Sequence, residues 1–454
     1  MDHNVGSKKK HVYTLENYGN GSGRHENANG LNTVVTGLFI VGEMAGGGVV
    51  AMPKAMIDSN WAGLALIILG AILSAYTGIQ LGWCWTILQD RWPIYRSHCR
   101  KPYPAMAERA FGIVTKHIVS VCIDLTLFGV SVVFLLLASE NIHTFLEHFF
   151  SVEMDYCILV LIVAAVMLPI TFLRSPKDFW PAVVCAMIMT SVAVTLLIVG
   201  IGKDGAKYEA TSVKPPLKFR EFFLAFGTIM FSYGGHAAFP TIQHDMKRPA
   251  EFTKAVILAY IIIIVLYTPV SMAGFLVYGG NNNVTSNIID SIDTEWIQQT
   301  TNILITLHVI LSLVIVFNPI NQELEEVLRL PHRFTWKRAV SRTCVMVVVV
   351  FVGESIPRFG LVLNLVGGST ITLLTFVLPG LFYLFLRAGQ MNEGTENAHK
   401  KASIGDVLRN IPPWEILVNL AVIAIGLIGG VATTYSAVYD IVHTDTFVKP
   451  CYLK

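Results

Sequence analysis

Apolar runs suited to hydrocarbon rather than water recur along this chain at 31–53, 62–88, 118–139, 157–173, 180–202, 219–240, 253–279, 297–320, 339–353, 359–386 and 415–441. A bilayer core takes an α-helix of roughly 20 apolar residues, so these runs predict eleven spanning helices. The ninth is the weakest, because its uninterrupted apolar part falls short of that length. Composition agrees, since only 14% of the 454 residues are charged against roughly a quarter in a soluble protein. The expected fold class is an all-α polytopic membrane protein.

Residues 1–30 are polar and rich in Gly and Asn, without the apolar core of a cleavable signal. They are expected to form a disordered cytoplasmic tail ahead of a transmembrane domain at 31–441, with 442–454 as a short C-terminal tail. With the N-terminus in the cytoplasm, 24 of the 33 Lys and Arg lie in cytoplasmic segments, although the 203–220 loop runs against the bias. Lys101, Arg109, Lys247, Arg248 and Arg333 belong to it, and an inner gate using Asp245 and Lys247 is a further reading of that flank. Asn283-Val284-Thr285 is a glycosylation sequon on the opposite side, making Asn283 the candidate acceptor. A net charge of +2 gives no reason to expect nucleic acid. The seven cysteines are scattered without a CxxC or Cys/His cluster, so neither a metal site nor a disulfide framework is expected. Cys157 and Cys451 share a side but are not counted as a bridge, because geometry decides such pairs.

Two spans carry interruptions that hydrocarbon does not tolerate without a reason. Gly47-Gly48-Val49-Val50-Ala51-Met52-Pro53 lies in the first span and Gly234-Gly235-His236-Ala237-Ala238-Phe239-Pro240 in the sixth, both reading GGxxxxP. If spans one to five (about 31–202) pair with six to ten (about 219–386), the breaks fall in corresponding helices. A block of five helices inserts its second copy upside down, so the breaks would meet near the midplane.

GLFIVGEMAGGGVVAMPKAM (37–56) and FSYGGHAAFPTIQHDMKRP (231–249) together resemble the amino acid/auxin permease family, within the amino acid–polyamine–cation superfamily. The resemblance implies a LeuT-type 5+5 inverted repeat plus an eleventh helix. It also implies secondary active transport of amino acids or related small amines, with substrate held between the unwound parts of helices one and six. In this chain those parts are Gly46, Gly47 and Gly48, and Tyr233, Gly234, Gly235 and His236.

The chemistry of these residues suits a zwitterion. Exposed N–H groups at a half-helix N-terminus hold a carboxylate without a charged side chain, and interrupted carbonyls near Tyr233 and Gly234 accept from an ammonium. The same glycines would also serve close helix packing. Tyr233 either caps the site or packs, and His236 either meets substrate or proton or is a satisfied structural histidine. Ionisable groups within spans are costly to keep charged and are candidates for carrying a coupling proton. Glu43 leads, ahead of Asp124, and His308 lies on one helical face with Thr301 and Ser312. So few hydroxyls in the eighth span favour H+ over Na+. Asn364, Gly367, Gly368 and Pro379 suit either a gating helix or close packing.

No membrane-depth catalytic motif suggests an enzyme, and no cofactor is expected. The leading reading is a proton-coupled transporter acting by alternating access, with a sodium-coupled transporter and a non-transporting amino-acid sensor as alternatives. The membrane, plasma or lysosomal/vesicular, is left open, as is the amino acid.

Overall fold

The computed structural model describes residues 30–97, 99–151, 154–172, 180–208, 216–280, 284–330, 335–392, 401–443 and 449–453. The N-terminal tail, Asn283 and Arg333 lie outside the described residues. Sixteen α-helices account for the apolar runs. The first span is α1 (Thr33–Met44) followed by α2 (Gly48–Ser59), bent by 62°. Then come α3 (Trp61–Arg91), the short α4 (Pro102–Ala110), α5 (Ile113–Phe150), α6 (Tyr156–Thr171) and α7 (Trp180–Tyr208). The second half repeats the plan with α8 (Phe219–Ser232), α9 (Phe239–His244), α10 (Phe252–Tyr278), α11 (Glu295–Val327) and α12 (Trp336–Ser355). It closes with α13 (Phe359–Val366), two π-helical turns at 367–377 and α14 (Leu378–Met391). After α15 (Ile404–Asn410), α16 (Pro413–His443) is the last span. Among the described residues seven helices are long and apolar enough to cross a bilayer, and eight when α1 and α2 count as one span. The other predicted segments are the shorter α6, the broken pair α8/α9, and α12.

The two halves pack alike. The helix α1 lies against α7 as α8 lies against α13, α10 covers α1 and α2 as α3 covers α8 and α9, and α11 meets α7 as α5 meets α13. The long helices α5 and α11 pack on each other at the centre. Side chains are omitted where these pairs come closest. A Cβ at Gly42 would stand 2.8 Å from the Val183 carbonyl oxygen, and one at Gly227 would stand 2.9 Å from that of Asn364. Small residues let backbones approach and so gain dispersion contacts, the main attraction available between helices in lipid. Gly367 and Gly368 serve this purpose, the first against the Gly227 carbonyl and the second against Thr433. A Cβ at Gly430 would come 2.8 Å from the Gly368 carbonyl oxygen, which keeps α16 against the π-helical turns.

We call the face bearing Thr33 the near face and the opposite one the far face. On the near face, Arg100 pairs with Glu326 (2.7 Å) and Lys101 bonds Glu323 (2.6 Å). Leu31 exchanges backbone bonds with Asp245 and Lys247 (2.9 and 2.7 Å), tying the start of α1 to the end of α9. The weak ninth run becomes the 20-residue α12 because its two arginines are neutralised rather than excluded. Arg338 and Arg342 each place Nε 2.7 Å from the same Glu325 oxygen, and all three are buried. On the far face, Cys157 and Cys451 form a disulfide with Cα atoms 5.5 Å apart, and Tyr452 stacks on Phe351 of α12. This corrects the expectation of no bridge: partners 294 residues apart are joined by the fold alone.

Glu325→Gln leaves Arg338 and Arg342 without their shared carboxylate. The expected cost is about 3–5 kcal/mol for breaking a buried ion pair, read as a lower unfolding temperature in detergent, whereas Glu326→Gln at the exposed surface changes it little.

Candidate functional site at the two helix breaks

The first break follows from three successive glycines. Gly46 N–H turns back to the Met44 carbonyl (2.9 Å), Val49 N–H bonds the Gly46 carbonyl (3.2 Å), and α2 starts on Gly47, which has no side chain to cap it. Among the described residues Gly47 N–H accordingly enters no backbone bond. In the second break, Gly234 and Gly235 N–H groups bond the Phe231 and Tyr233 carbonyls, both at 3.1 Å. The chain becomes helical again at Phe239, with Pro240 in the first turn, where a missing N–H costs nothing. Among the described residues the Gly234 carbonyl receives no backbone bond.

The breaks touch. A Cβ at Gly48 would lie 2.8 Å from Ser232 Cα, and one at Gly235 would lie 2.9 Å from Met44 Cγ. Above them the fully buried Tyr267 of α10 places its hydroxyl 2.9 Å from the Met44 carbonyl and 3.2 Å from the Ser232 carbonyl. One O–H thus lies within reach of the last carbonyl of α1, which also takes the Gly46 N–H, and of the last carbonyl of α8, which receives no backbone bond across the break among the described residues. Sequence reasoning passed over Tyr267. Its signal was a pair of tyrosines seven apart, Tyr260 and Tyr267, on one face of an Ile/Val-rich span, where a buried hydroxyl needs a partner.

The other candidates fall in separate places. His308 Nδ1 lies 2.8 Å from Thr190 Oγ1 and 2.9 Å from the Ala186 carbonyl, and Nε2 lies 3.2 Å from Ser312 Oγ. It joins α11 to α7, and its Nε2 would be 2.9 Å from a Cβ at Gly46, with Phe134 of α5 also close. Thr301 is fully buried with its hydroxyl unpartnered. Tyr233 donates its hydroxyl to the Ile67 carbonyl (2.9 Å), and His236 Nε2 meets the Ser74 carbonyl and Thr77 Oγ1 (3.0 and 3.1 Å). Both rings turn to α3, so what these two residues offer the space between the breaks is backbone. Asp124 sits toward the near face, in the field of Glu323 and Lys101. Glu43, in the last turn of α1 just before the first break, is partly buried. Among the described residues no hydrogen bond or ion pair engages it. No cluster of three or more His, Cys, Asp or Glu suited to a metal occurs among the described residues. A groove of about 960 Å3 between α8 and α16, lined by Phe219, Leu427, Val431 and Tyr435, opens on the outer surface of the bundle, apart from the breaks.

Two inverted five-helix blocks, each broken in its first helix, define the class of inverted-repeat membrane transporters. The backbone resembles a Na+-coupled sialic acid symporter (TM-score 0.54, 12% identity, 95% of this chain and 92% of that one). It also resembles the inward-facing form of Mhp1 (TM-score 0.52, 11% identity, 92% of both chains). At those identities the likeness concerns the fold. Over residues 30–404 the chain matches the family described as transmembrane amino acid transporter protein, and it belongs to that family. Among similar proteins of Arabidopsis thaliana, amino acid transporter AVT1C is 25% identical over 425 residues, covering 91% of this chain and 70% of that protein. Amino acid transporter AVT1H is 27% identical over 388 residues, covering 82% and 85%. The protein is thus a multi-pass membrane member of a non-enzymatic transporter family.

Tyr267→Phe keeps the ring and removes the donor from two buried carbonyls. We expect a loss of about 1–3 kcal/mol, seen as a lower unfolding temperature with unchanged helical circular dichroism.

Proposed function

We propose that this protein carries amino acids or related small amines across its membrane by alternating access, drawing on a proton gradient. The observation that carries the reading is the direct contact of the two breaks. The free Gly47 N–H at the start of α2 and the unbonded Gly234 carbonyl lie in adjoining backbone segments, offering a donor to a carboxylate and an acceptor to an ammonium. Recognition through backbone fixes the zwitterion and leaves side-chain selection to the surrounding volume, where Ala237 and Ala238 retain accessible surface and Val49 is fully buried.

For the coupling ion, Glu43 has the best position. It stands just before the first break, is partly buried and has no engaged partner among the described residues. His308 is less suited, since both ring nitrogens are already bonded. Its imidazole lies against Gly46, the place where a hydroxyl of α11 would have to serve a sodium ion, and this supports protons over sodium. The near face is proposed to be cytoplasmic, in a plasma or lysosomal/vesicular membrane.

Proteoliposomes with an imposed pH gradient should accumulate a labelled amino acid, and no uptake across a broad amino-acid panel would sink the transport reading. Glu43→Gln should retain exchange of substrate across the membrane while losing accumulation driven by the gradient; unchanged pH dependence removes Glu43 from coupling. Treating cell-expressed protein with a glycosidase should increase its gel mobility, and Asn283→Gln should abolish that shift. Persistence of the shift would move the glycan elsewhere.

A further inference from the structure

The groove between α8 and α16 takes no part in the site at the breaks. Its long wall is a stripe of α16, where Leu427, Val431 and Tyr435 recur every four residues and so share one helical face, all of them exposed. Phe219, in the first turn of α8, is exposed and lines the same groove. From Leu427 to Tyr439 the stripe runs about 18 Å at roughly 1.5 Å per residue, close to one leaflet of a hydrocarbon core about 30 Å thick. The volume of about 960 Å3 lies at the top of the range of small-molecule sites, about 300–1,000 Å3. The far-face end of the groove is polar. There Lys218 pairs with Glu221 (2.9 Å) and Arg220 with Asp440 (3.2 Å), and the Arg220 guanidinium lies 5.6 Å from the centre of the Tyr439 ring. The Tyr435 and Tyr439 rings stand 6.3 Å apart at this end, and tyrosine suits the boundary between hydrocarbon and water. These two pairs give the rim equal numbers of cations and anions, with Lys218 and Arg220 largely exposed. Exposed ion pairs are weak, so both can open around a charged ligand.

We propose that this groove binds a zwitterionic phospholipid of the far leaflet, its acyl chain along α16 and its headgroup at the charged rim. An apolar wall one leaflet deep fits an acyl chain that ends near the bilayer midplane. The phosphate meets Lys218 and Arg220 in charge-assisted bonds, and the cationic amine of the headgroup meets Glu221 and the face of Tyr439. A rim of balanced charge selects a head bearing both signs, because a net negative head would set a surplus charge beside Glu221 and Asp440. Such a lipid also bears on α8, the half-helix that ends at the second break. The last span already holds α8 through Thr433 Oγ1, which donates to the Phe223 carbonyl (2.6 Å), and through Gly429, where a Cβ would collide with the Phe226 ring. A lipid between Phe219 and Tyr435 adds a contact one turn beyond Phe223 and braces the start of α8 against α16. This inference stands apart from the transport reading.

The test uses the full-length protein in phosphatidylcholine proteoliposomes that contain a little phosphatidylcholine with a photoreactive diazirine on its acyl chain. After illumination the labelled peptides are mapped by mass spectrometry. Val347 and Phe351, exposed on α12, serve as the reference for ordinary boundary lipid. Labelling of the α16 stripe should exceed theirs roughly tenfold, the ratio given by a preference of about 1.4 kcal/mol. Equal labelling of the two surfaces means boundary lipid only and overturns the proposal. Val431→Trp fills the groove at a position 69% exposed, where no core packing is lost, and should bring labelling of the stripe down to the α12 level. Unchanged labelling in that variant also overturns the proposal. A phosphatidylglycerol probe at the same mole fraction should label the stripe several-fold less than phosphatidylcholine does, and equal labelling defeats the zwitterionic assignment. Added phosphatidylcholine should raise the unfolding temperature of the detergent-solubilised parent and leave that of Val431→Trp unmoved. An equal rise in both defeats the bracing of α8.

Discussion

The Tyr267 hydroxyl reaches the last backbone carbonyls of two half-helices, and the two breaks are arranged around that contact. A bilayer supplies no water to a broken helix, so every interruption has to bring its own partners. The first break satisfies Gly46 by a tight turn and the second satisfies Gly234 and Gly235 in the same way. The terminal carbonyl of α8 is left, and one phenol on α10 reaches it while also meeting that of α1, which the Gly46 N–H already engages. This holds the ends of two half-helices within reach of a single oxygen atom. Among the described residues a donor at Gly47 and an acceptor at Gly234 enter no backbone bond, and the proposed zwitterion site rests on that pair.

That proximity depends on residues that contribute no side chain. Gly48 lies against Ser232 and Gly235 against Met44, while Gly42 and Gly227 let α7 and α13 approach α1 and α8 in matching fashion. Charge is handled by the opposite strategy. Buried ions on the near face come in bonded sets, such as Glu325 between Arg338 and Arg342. Surface pairs at Lys101 and Arg100 brace the near side, and Ile288 and Ile289 are buried on the far side. Among the described residues Glu43, just before the first break, carries no hydrogen bond or ion pair.

The run lengths and the two GGxxxxP interruptions are local properties, written in hydrophobicity and in the conformational freedom of glycine, so the all-helical fold and the positions of both breaks could be read directly from the sequence. The sequence also marked the ninth run as marginal, and the fold shows the reason in its paired arginines. Which atoms meet is not local. His236 and Tyr233 stand in the second break, yet their rings turn to α3, because rotamer and neighbouring carbonyls set direction. His308 shares a helical face with Ser312, but only packing reveals that its ring is spent on α7. Cys157 and Cys451, and the Tyr267 bridge, join segments far apart in the chain. Sequence determined where the helices run and where they break; tertiary structure decided which buried groups find partners, because a hydrogen bond depends on ångström distances that no periodicity encodes.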